Sequence, residues 1–447
     1  MSTRREVRGG RAFVMSLLAT LTVTLLPAAA RPASVVAQDQ TFAIVGGTVH
    51  TLAGPSMPNA TVLLQNGRIT AVGSNVSTPA GAEVIDASGL QVYPGMFNAF
   101  SSLGLQEINS VAVTNDLSEA GDFNPHIAAA TAVHPSSERL PVTRANGVTH
   151  AVSAPSARSG AIGGQASAIH MDGWTVEEML IAQSVGFVLT WPSIQTQQCG
   201  PFGCFGPSGP FSEAEERYEE AVDQIRGWLT DARRYQRSVD GGAQPRRDLR
   251  LEALTRALTG ELPFLVLADQ ARDVRNAVEF AEDEGVRVII VSGRDAWKEA
   301  DFLAEKDIPV LLRATQNVPV GDDDPYHTTF SAAVRLHEAG VRFAMTGWAS
   351  AGPNPPSRTL PYEAANAVPF GLPEAEALRA ITRYPAEILG LGDELGTIEV
   401  GKIGNLIVTD GDPLQIRTQV LHVFIAGIPS STMNRHQALY EKYRARR

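Results

Sequence analysis

Cysteine is nearly absent. The 447 residues contain two, Cys199 and Cys204, both within the glycine- and proline-rich stretch "CGPFGCFGPSGPF". A C-x4-C pair with no further soft ligands nearby is not a zinc knuckle, so a local loop clip is the favoured expectation. The nearest approach to a phosphate-binding loop, "SGAIGGQ" at residues 159–165, lacks the lysine of a P-loop and the spacing of a dinucleotide fingerprint; a plain turn is expected there. No G-x-S-x-G nucleophile elbow occurs, which removes the usual signature of a serine hydrolase. An excess of positive charge is missing too. The formal net charge is -11, which argues against nucleic acid or an anionic membrane as a partner. No solenoid-like repeat is present.

The apolar fraction of 44%, the charged fraction of 19%, and 40 glycines with 28 prolines spread along the chain describe a globular protein with many turns. The length exceeds what one core usually supports, so a large domain with a smaller companion is expected. At the N-terminus, Arg4, Arg5, Arg8 and Arg11 precede the apolar run "AFVMSLLATLTVTLLPAAA", and small residues follow with a cleavage point after Ala37. This reads as a secretory signal peptide, residues 1–37, and an exported, periplasmic or extracellular protein. An uncleaved anchor is disfavoured because threonines interrupt the run, which is barely long enough to span a bilayer; no stable membrane span is expected after cleavage. Arg4-Arg5 leaves export by the twin-arginine route open. Loss of residues 1–37 removes five arginines and one glutamate, moving the net charge to -15.

Residues 38–93 alternate apolar and polar residues in short runs broken by Asn-Gly and Gly-Pro, the pattern of antiparallel strands. "GTIEVGKIGNLIVTDGDPL" and "VLHVFIAGIP" repeat that style near the other end. Residues 38–93 and 391–430 together are therefore read as one β-sandwich companion domain, followed by a tail at 431–447. Between them, apolar runs alternate with amphipathic helices: "LPFLVLA" then "RDVRNAVEFAEDEG", "VRVIIVSG" then "DAWKEADFLAEKD", "IPVLLRA", "AAVRLHEAG" then "VRFAMTG". Such alternation predicts an α/β fold, here a (β/α)8 TIM-like barrel over residues 94–390. A loop-rich insert falls at about 190–262, and its charged helix "SEAEERYEEAVDQIRGWLTDARRYQ" is expected to cover one side of the barrel.

"YPGMFNAFSSLG", "NGVTHAVSAPSARSGAIGGQASAIHMDGWTVEEML" and "ALRAITRYPAEILGLGDELGTIEVGKIGNLIVTDGDPL" together resemble the metal-dependent amidohydrolase superfamily, in particular its exported, imidazolonepropionase-like branch. The resemblance implies hydrolysis of carbon–nitrogen bonds other than peptide bonds, at a divalent metal held by strand ends at the barrel mouth. In that pattern the first strand ends in His-x-His, because alternate strand residues share a face; here Phe100 and Ser102 stand in those places. Leu267 replaces the fifth-strand histidine, Ser292 the sixth-strand histidine, and Gly347 the eighth-strand aspartate that binds metal and accepts a proton from water. Phenyl, isobutyl and hydrogen offer no lone pair, and neutral serine is a poor ligand for a zinc-like ion.

The expectation is therefore a catalytically degenerate, metal-free homologue acting as a binding or assembly component, as a homo-oligomer or beside an intact amidohydrolase paralogue. No cofactor is expected. The alternative is an active hydrolase with a rebuilt site holding zinc or a similar divalent ion, drawn from His126 and His134 of the first long loop, Asp324 and His327. Asp324 and its neighbours are first read as a solvated acidic turn capping a helix from Tyr326. A third reading makes the mouth a site for small peptides or sugars, with Gln165, Arg313 and Asp324 as polar contacts, and His170 facing either the interior or the core.

Overall fold

The computed structural model describes residues 40–196, 198–200, 203–205, 208–321, 323–347 and 357–446. The expected signal peptide lies outside the described residues, as do Asp322 and the side chains of Cys199, Cys204 and Ser292.

Strands β1 (Thr41–Val49), β2 (Met57–Gln65), β3 (Arg68–Gly73), β4 (Glu83–Asp86) and β5 (Gln91–Pro94) open the chain. β2 and β3 are joined by Asn66-Gly67, both at positive φ (51° and 80°), the two-residue turn whose twist matches that of the strands it links. This N-terminal set is completed by β16 (Leu406–Thr409), β17 (Val420–Ile425) and β18 (Ile428–Ser430). β16 runs antiparallel to β5, so that Leu406 pairs with Pro94 and Val408 with Val92.

The sequence pattern predicts two layers here. Instead one continuous sheet runs β18-β17-β16-β5-β1-β2-β3, with β4 branching from β1. It needs no second sheet because Phe42, Ile44, Val62, Leu64, Val92, Leu406 and Phe424 bury their side chains together, with Phe42 and Phe424 edge to face at 6.1 Å.

The second sheet contains β6 (Met96–Ser101), β7 (Val148–Ser153), β8 (Ile162–His170), β9 (Leu180–Thr190), β12 (Phe264–Ala268), β13 (Val288–Ser292), β14 (Val310–Leu312) and β15 (Phe343–Met345). Its order is β15-β14-β13-β12-β9-β8-β7-β6. Most pairs are parallel, but β8 is antiparallel to both β7 and β9. The connections 154–161 and 171–179 explain the departure: each is too short for the crossover that a parallel neighbour requires.

Closure also differs from the expected barrel. Among the described residues no ladder joins β15 to β6; both lean on one segment, where Phe97 N–H donates to Ile381 O and Met345 N–H to Ala380 O, each at 2.8 Å. The result is a TIM-barrel-like α/β fold with a companion sheet.

Between β9 and β12 lie the hairpin β10 (Gln198–Gly200) and β11 (Gly203–Phe205), then helices Phe211–Asp240 and Leu249–Leu258. Cys199 and Cys204 occupy paired positions in that hairpin. The long helix buries Ala214, Ile225, Leu229 and Ala232 and anchors Arg226 and Arg233 on Glu284, at 3.1 and 2.6 Å. Helix Ala271–Glu284 ends at Gly285, whose φ of 61° closes the last turn.

Gly95 links the two sheets, and a Cβ there would press into Thr149 of β7, within 2.7 Å of its Cβ. Gly95→Ala is expected to destabilise by about 1–3 kcal/mol, measured as a lowered urea midpoint at unchanged slope.

Candidate functional site

The C-terminal ends of the parallel strands share one end of the sheet, the end at which such folds carry function. Parallel registers bring Leu267 beside Val291, and Ser292 beside Ala268 and Leu312. Leu312 in turn pairs with Met345, two residues before Gly347. Gly347 is tied to the first strand, its N–H donating to Asn98 Oδ1 at 3.0 Å.

Alternate residues of a strand face the same side, and the interior face is apolar. Phe97, Phe100, Val152, Ala166, Ala168, Val188, Leu265, Ile289, Val291, Leu311 and Ala344 form one buried cluster, with Leu267 packed against it. Phe100 is only 2% exposed, and Ser102, just beyond β6, is buried.

A zinc-like ion needs nitrogen, sulfur or charged oxygen donors. The side chains at Phe100, Leu267 and Gly347 supply none, and Phe100 and Leu267 belong to the apolar cluster. The residues present do not fit a metal. Among the described residues no group of three or more His, Cys, Asp and Glu could hold a metal ion elsewhere.

Charge is confined to the loops beyond the strands. Arg313, directly after β14, is 5% exposed, with Nη1 3.3 Å from Asp269 Oδ2 after β12. Burial lowers the Arg313 pKa, against the pull of Asp269. Lys298 bridges Asp295 at 3.3 Å and Asp324 at 2.9 Å. Burial raises the pKa of Asp295, whereas the Lys298 hydrogen bond lowers that of Asp324. These pairs tie the loops after β12, β13 and β14 to one another.

A cleft of about 350 Å3 opens between the first long loop and the turn after β7, lined by Ser118, Glu119, Asp122, Asn124, Ser156 and Arg158 among others. Asp122 and Arg158 form an ion pair in its wall, and Asn124 Nδ2 donates back to Ala120 O and Gly121 O.

The residues singled out from the sequence are dispersed. His126 is half-buried and His134 exposed within the first loop. Gln165 is buried facing away from the interior. Its Nε2 donates to Pro125 O at 2.6 Å, while its Oε1 accepts from Ser184 Oγ at 2.6 Å and Arg256 Nη1 at 3.4 Å. A side chain so engaged is a strut between loop, strand and helix.

Asp324 does not cap a helix. Gly321 N–H and Lys298 occupy its carboxylate, and the helix begins later, at Thr328. His327 precedes that helix and stacks on Phe370 at 6.0 Å. His170 is buried at the opposite end of the interior, where β8 pairs it with His150 of β7. Sequence reading gave His150 no role, nor Asn98, Asn405 or Glu363. Each acquires its meaning from partners far away in the chain.

Comparison with known proteins agrees with this architecture. Residues 271–433 match the amidohydrolase family. The amidohydrolase tasK of Hapsidospora irregularis is 24% identical over 401 residues, 82% of this chain and 39% of that protein. An imidazolonepropionase of Sphingopyxis alaskensis is 42% identical over 140 residues, 31% of this chain and 30% of its own length. The chain thus spans well under half of either curated relative. The crystal structure of an amidohydrolase from Thermotoga maritima superimposes with a TM-score of 0.75 at 26% identity, covering 88% of this chain and all of that one. These matches make the chain similar to amidohydrolases, over residues 271–433 in sequence and over most of its length in fold, with imidazolonepropionases among its relatives.

Proposed function

We propose that this chain is an exported amidohydrolase-superfamily protein that has lost metal-dependent hydrolysis and serves as a binding or assembly component. One observation carries the reading: at the strand ends, Phe100 and Leu267 belong to an apolar interior cluster where ligands would have to converge. Loss of the five aligned ligands, at Phe100, Ser102, Leu267, Ser292 and Gly347, removes metal affinity, the Lewis acid and the activated water together.

The reading keeps the loops of the same face as the place of contact, with the cleft beside Arg158 as the entry for a small polar ligand. A second copy of this chain or an intact amidohydrolase paralogue is the partner it favours. A rebuilt site gains nothing from the positions of His126, His134, Asp324 and His327, since Asp324 is held by Lys298 and His327 by Phe370.

Elemental analysis of the chain from Gln38 onward, purified without chelators beside an intact relative, is the test. The expected result is far less than one zinc-like ion per chain while the relative is loaded. One or two tightly held ions per chain would overturn the reading.

A further inference from the structure

Asn405 stands where the companion sheet meets the barrel-like sheet, and its backbone O and its Nδ2 reach across that junction. Its backbone O accepts from Gly95 N–H at 2.8 Å, and its Oδ1 accepts from Ala426 N–H, also at 2.8 Å. The second contact fixes the amide orientation, so Nδ2 must donate. It lies 3.3 Å from His150 Nδ1 and 3.4 Å from His170 Nδ1.

Thr149 Oγ1 adds a second donor, 2.7 Å from His150 Nδ1. Both Nδ1 atoms must therefore present lone pairs, which makes both rings neutral with the proton on Nε2. The two histidines are 1% and 7% exposed, and their positions pair directly between β7 and β8. His150 packs against the ring of Phe97 at 4.4 Å, and its buried Nε2 has no hydrogen-bond partner.

Among the described residues no countercharge faces the two rings. β6, β7, β8 and β16 contain no Asp, Glu, Lys or Arg. Arg144, whose Nη1 donates to Met171 O at 2.7 Å, is paired with Asp172 at 3.1 Å. Lys402, just ahead of Asn405, is turned to Thr397 and Glu399. On the companion side, His50 is bonded to Gln91 and stacked on Tyr93. Among the described residues, the titratable charge that acts on His150 is that of His170.

We propose that Asn405, His150 and His170 form an acid-sensitive latch between the companion sheet and the barrel, which releases when either imidazole takes a proton. A proton on Nδ1 would face the Nδ2 donor head-on, deleting the bond to Asn405, and would place a cation in a site without anions. Burial holds the His170 pKa down at about 4, and burial together with His170 holds His150 well below its usual value.

A depressed histidine leaves stability intact above the ordinary value near 6.5. Stability then falls with pH from about 6.5 toward 4, because only the opened form binds the proton in that window. From His170 alone the latch should open about 30-fold more often at pH 5 than at pH 7.5.

Peptide-resolved hydrogen exchange on the chain from Gln38 onward, corrected for intrinsic rates, reads this directly. Segments carrying the Gly95 and Ala426 amides should lose at least about 30-fold protection between pH 7.5 and 5, while those carrying Gly293 and Thr346 at the strand ends keep theirs. His170→Gln should remove the His170 share, about 30-fold, and leave the part set by His150, and Asn405→Asp, which sets a carboxylate between the rings, should reverse its sign. Uniform loss in both sheets, no loss by pH 5, or an unchanged profile in His170→Gln would overturn the latch. Should a variant fail to fold, histidine ring titration of the unaltered protein decides: a pKa near 6.5 for both buried rings with the junction still protected contradicts it.

Discussion

Phe100→Ala is expected to cost about 3–5 kcal/mol in unfolding free energy, the range for deleting a buried phenyl ring whose surroundings relax only in part. Phe100 is 2% exposed within an interior cluster contributed by β6, β7, β8, β9, β12, β13, β14 and β15, so a cavity there touches strands that cannot all move inward. Urea unfolding followed by circular dichroism measures the change, and a loss below about 1 kcal/mol would mean that the interior is loosely filled.

Phe100→His extends the same experiment to function. An imidazole in this cluster finds no fellow ligand at Leu267 or Gly347, so its polar atoms are buried without compensation. Adding zinc should leave its midpoint unchanged, because a ligand stabilises only a fold that binds it. A zinc-dependent rise would show instead that donors can be recruited to the strand ends, and the lost-site reading would fail.

The features legible in advance are those set by local chemistry. Asn66-Gly67 announces its hairpin, and the apolar run 288–292 with the amphipathic run 271–284 announces a strand and a helix, because the decisive interactions lie within a few residues. The inward placement of Phe100 was not legible: Phe97 and Ala99 face the same cluster, and a register shift between Asn98 and Ser101 brings Phe100 in against strict period two.

The antiparallel β8 was not legible. "SGAIGGQ" reads as a turn, and only its first part is one: Gly160 turns at φ 78°, and β8 starts at Ile162. Gly163 and Gly164 lie within the strand because other backbone comes too close for a side chain. A Cβ on Gly163 would be 2.6 Å from Ser156 O, and one on Gly164 2.7 Å from Ile127 O. Composition alone cannot distinguish a glycine needed for a turn from one needed for close approach. The junction at Asn405 was hidden for a different reason: its histidine partners lie 255 and 235 positions away, and nothing local marks an asparagine as their donor.

Glu363→Ala is the second large effect, expected to cost about 2–4 kcal/mol. Glu363 is fully buried on helix Leu360–Ala365. Its Oε2 accepts from Thr315 N–H at 2.7 Å, Thr315 Oγ1 at 2.8 Å and Gln316 N–H at 3.1 Å. Removing the carboxylate leaves the buried Thr315 N–H of the loop after β14 without an acceptor and frees the partly buried Gln316 N–H, and a buried orphan is costlier than the bond itself is favourable. Asn366 Nδ2 still reaches Thr315 Oγ1 at 3.2 Å, but it is a donor and cannot replace the lost acceptor.

Glu363→Gln retains one acceptor oxygen and should lose roughly half as much, since a neutral acceptor makes weaker bonds than an ionised one. The pair of variants therefore separates charge from shape. If both unfold at the same urea concentration as the parent, the loop bearing Arg313 is held by something other than this carboxylate. If alanine is far worse than glutamine, Glu363 is the post that fixes that loop over the apolar interior, and its buried charge exists to hold the mouth of the fold in place.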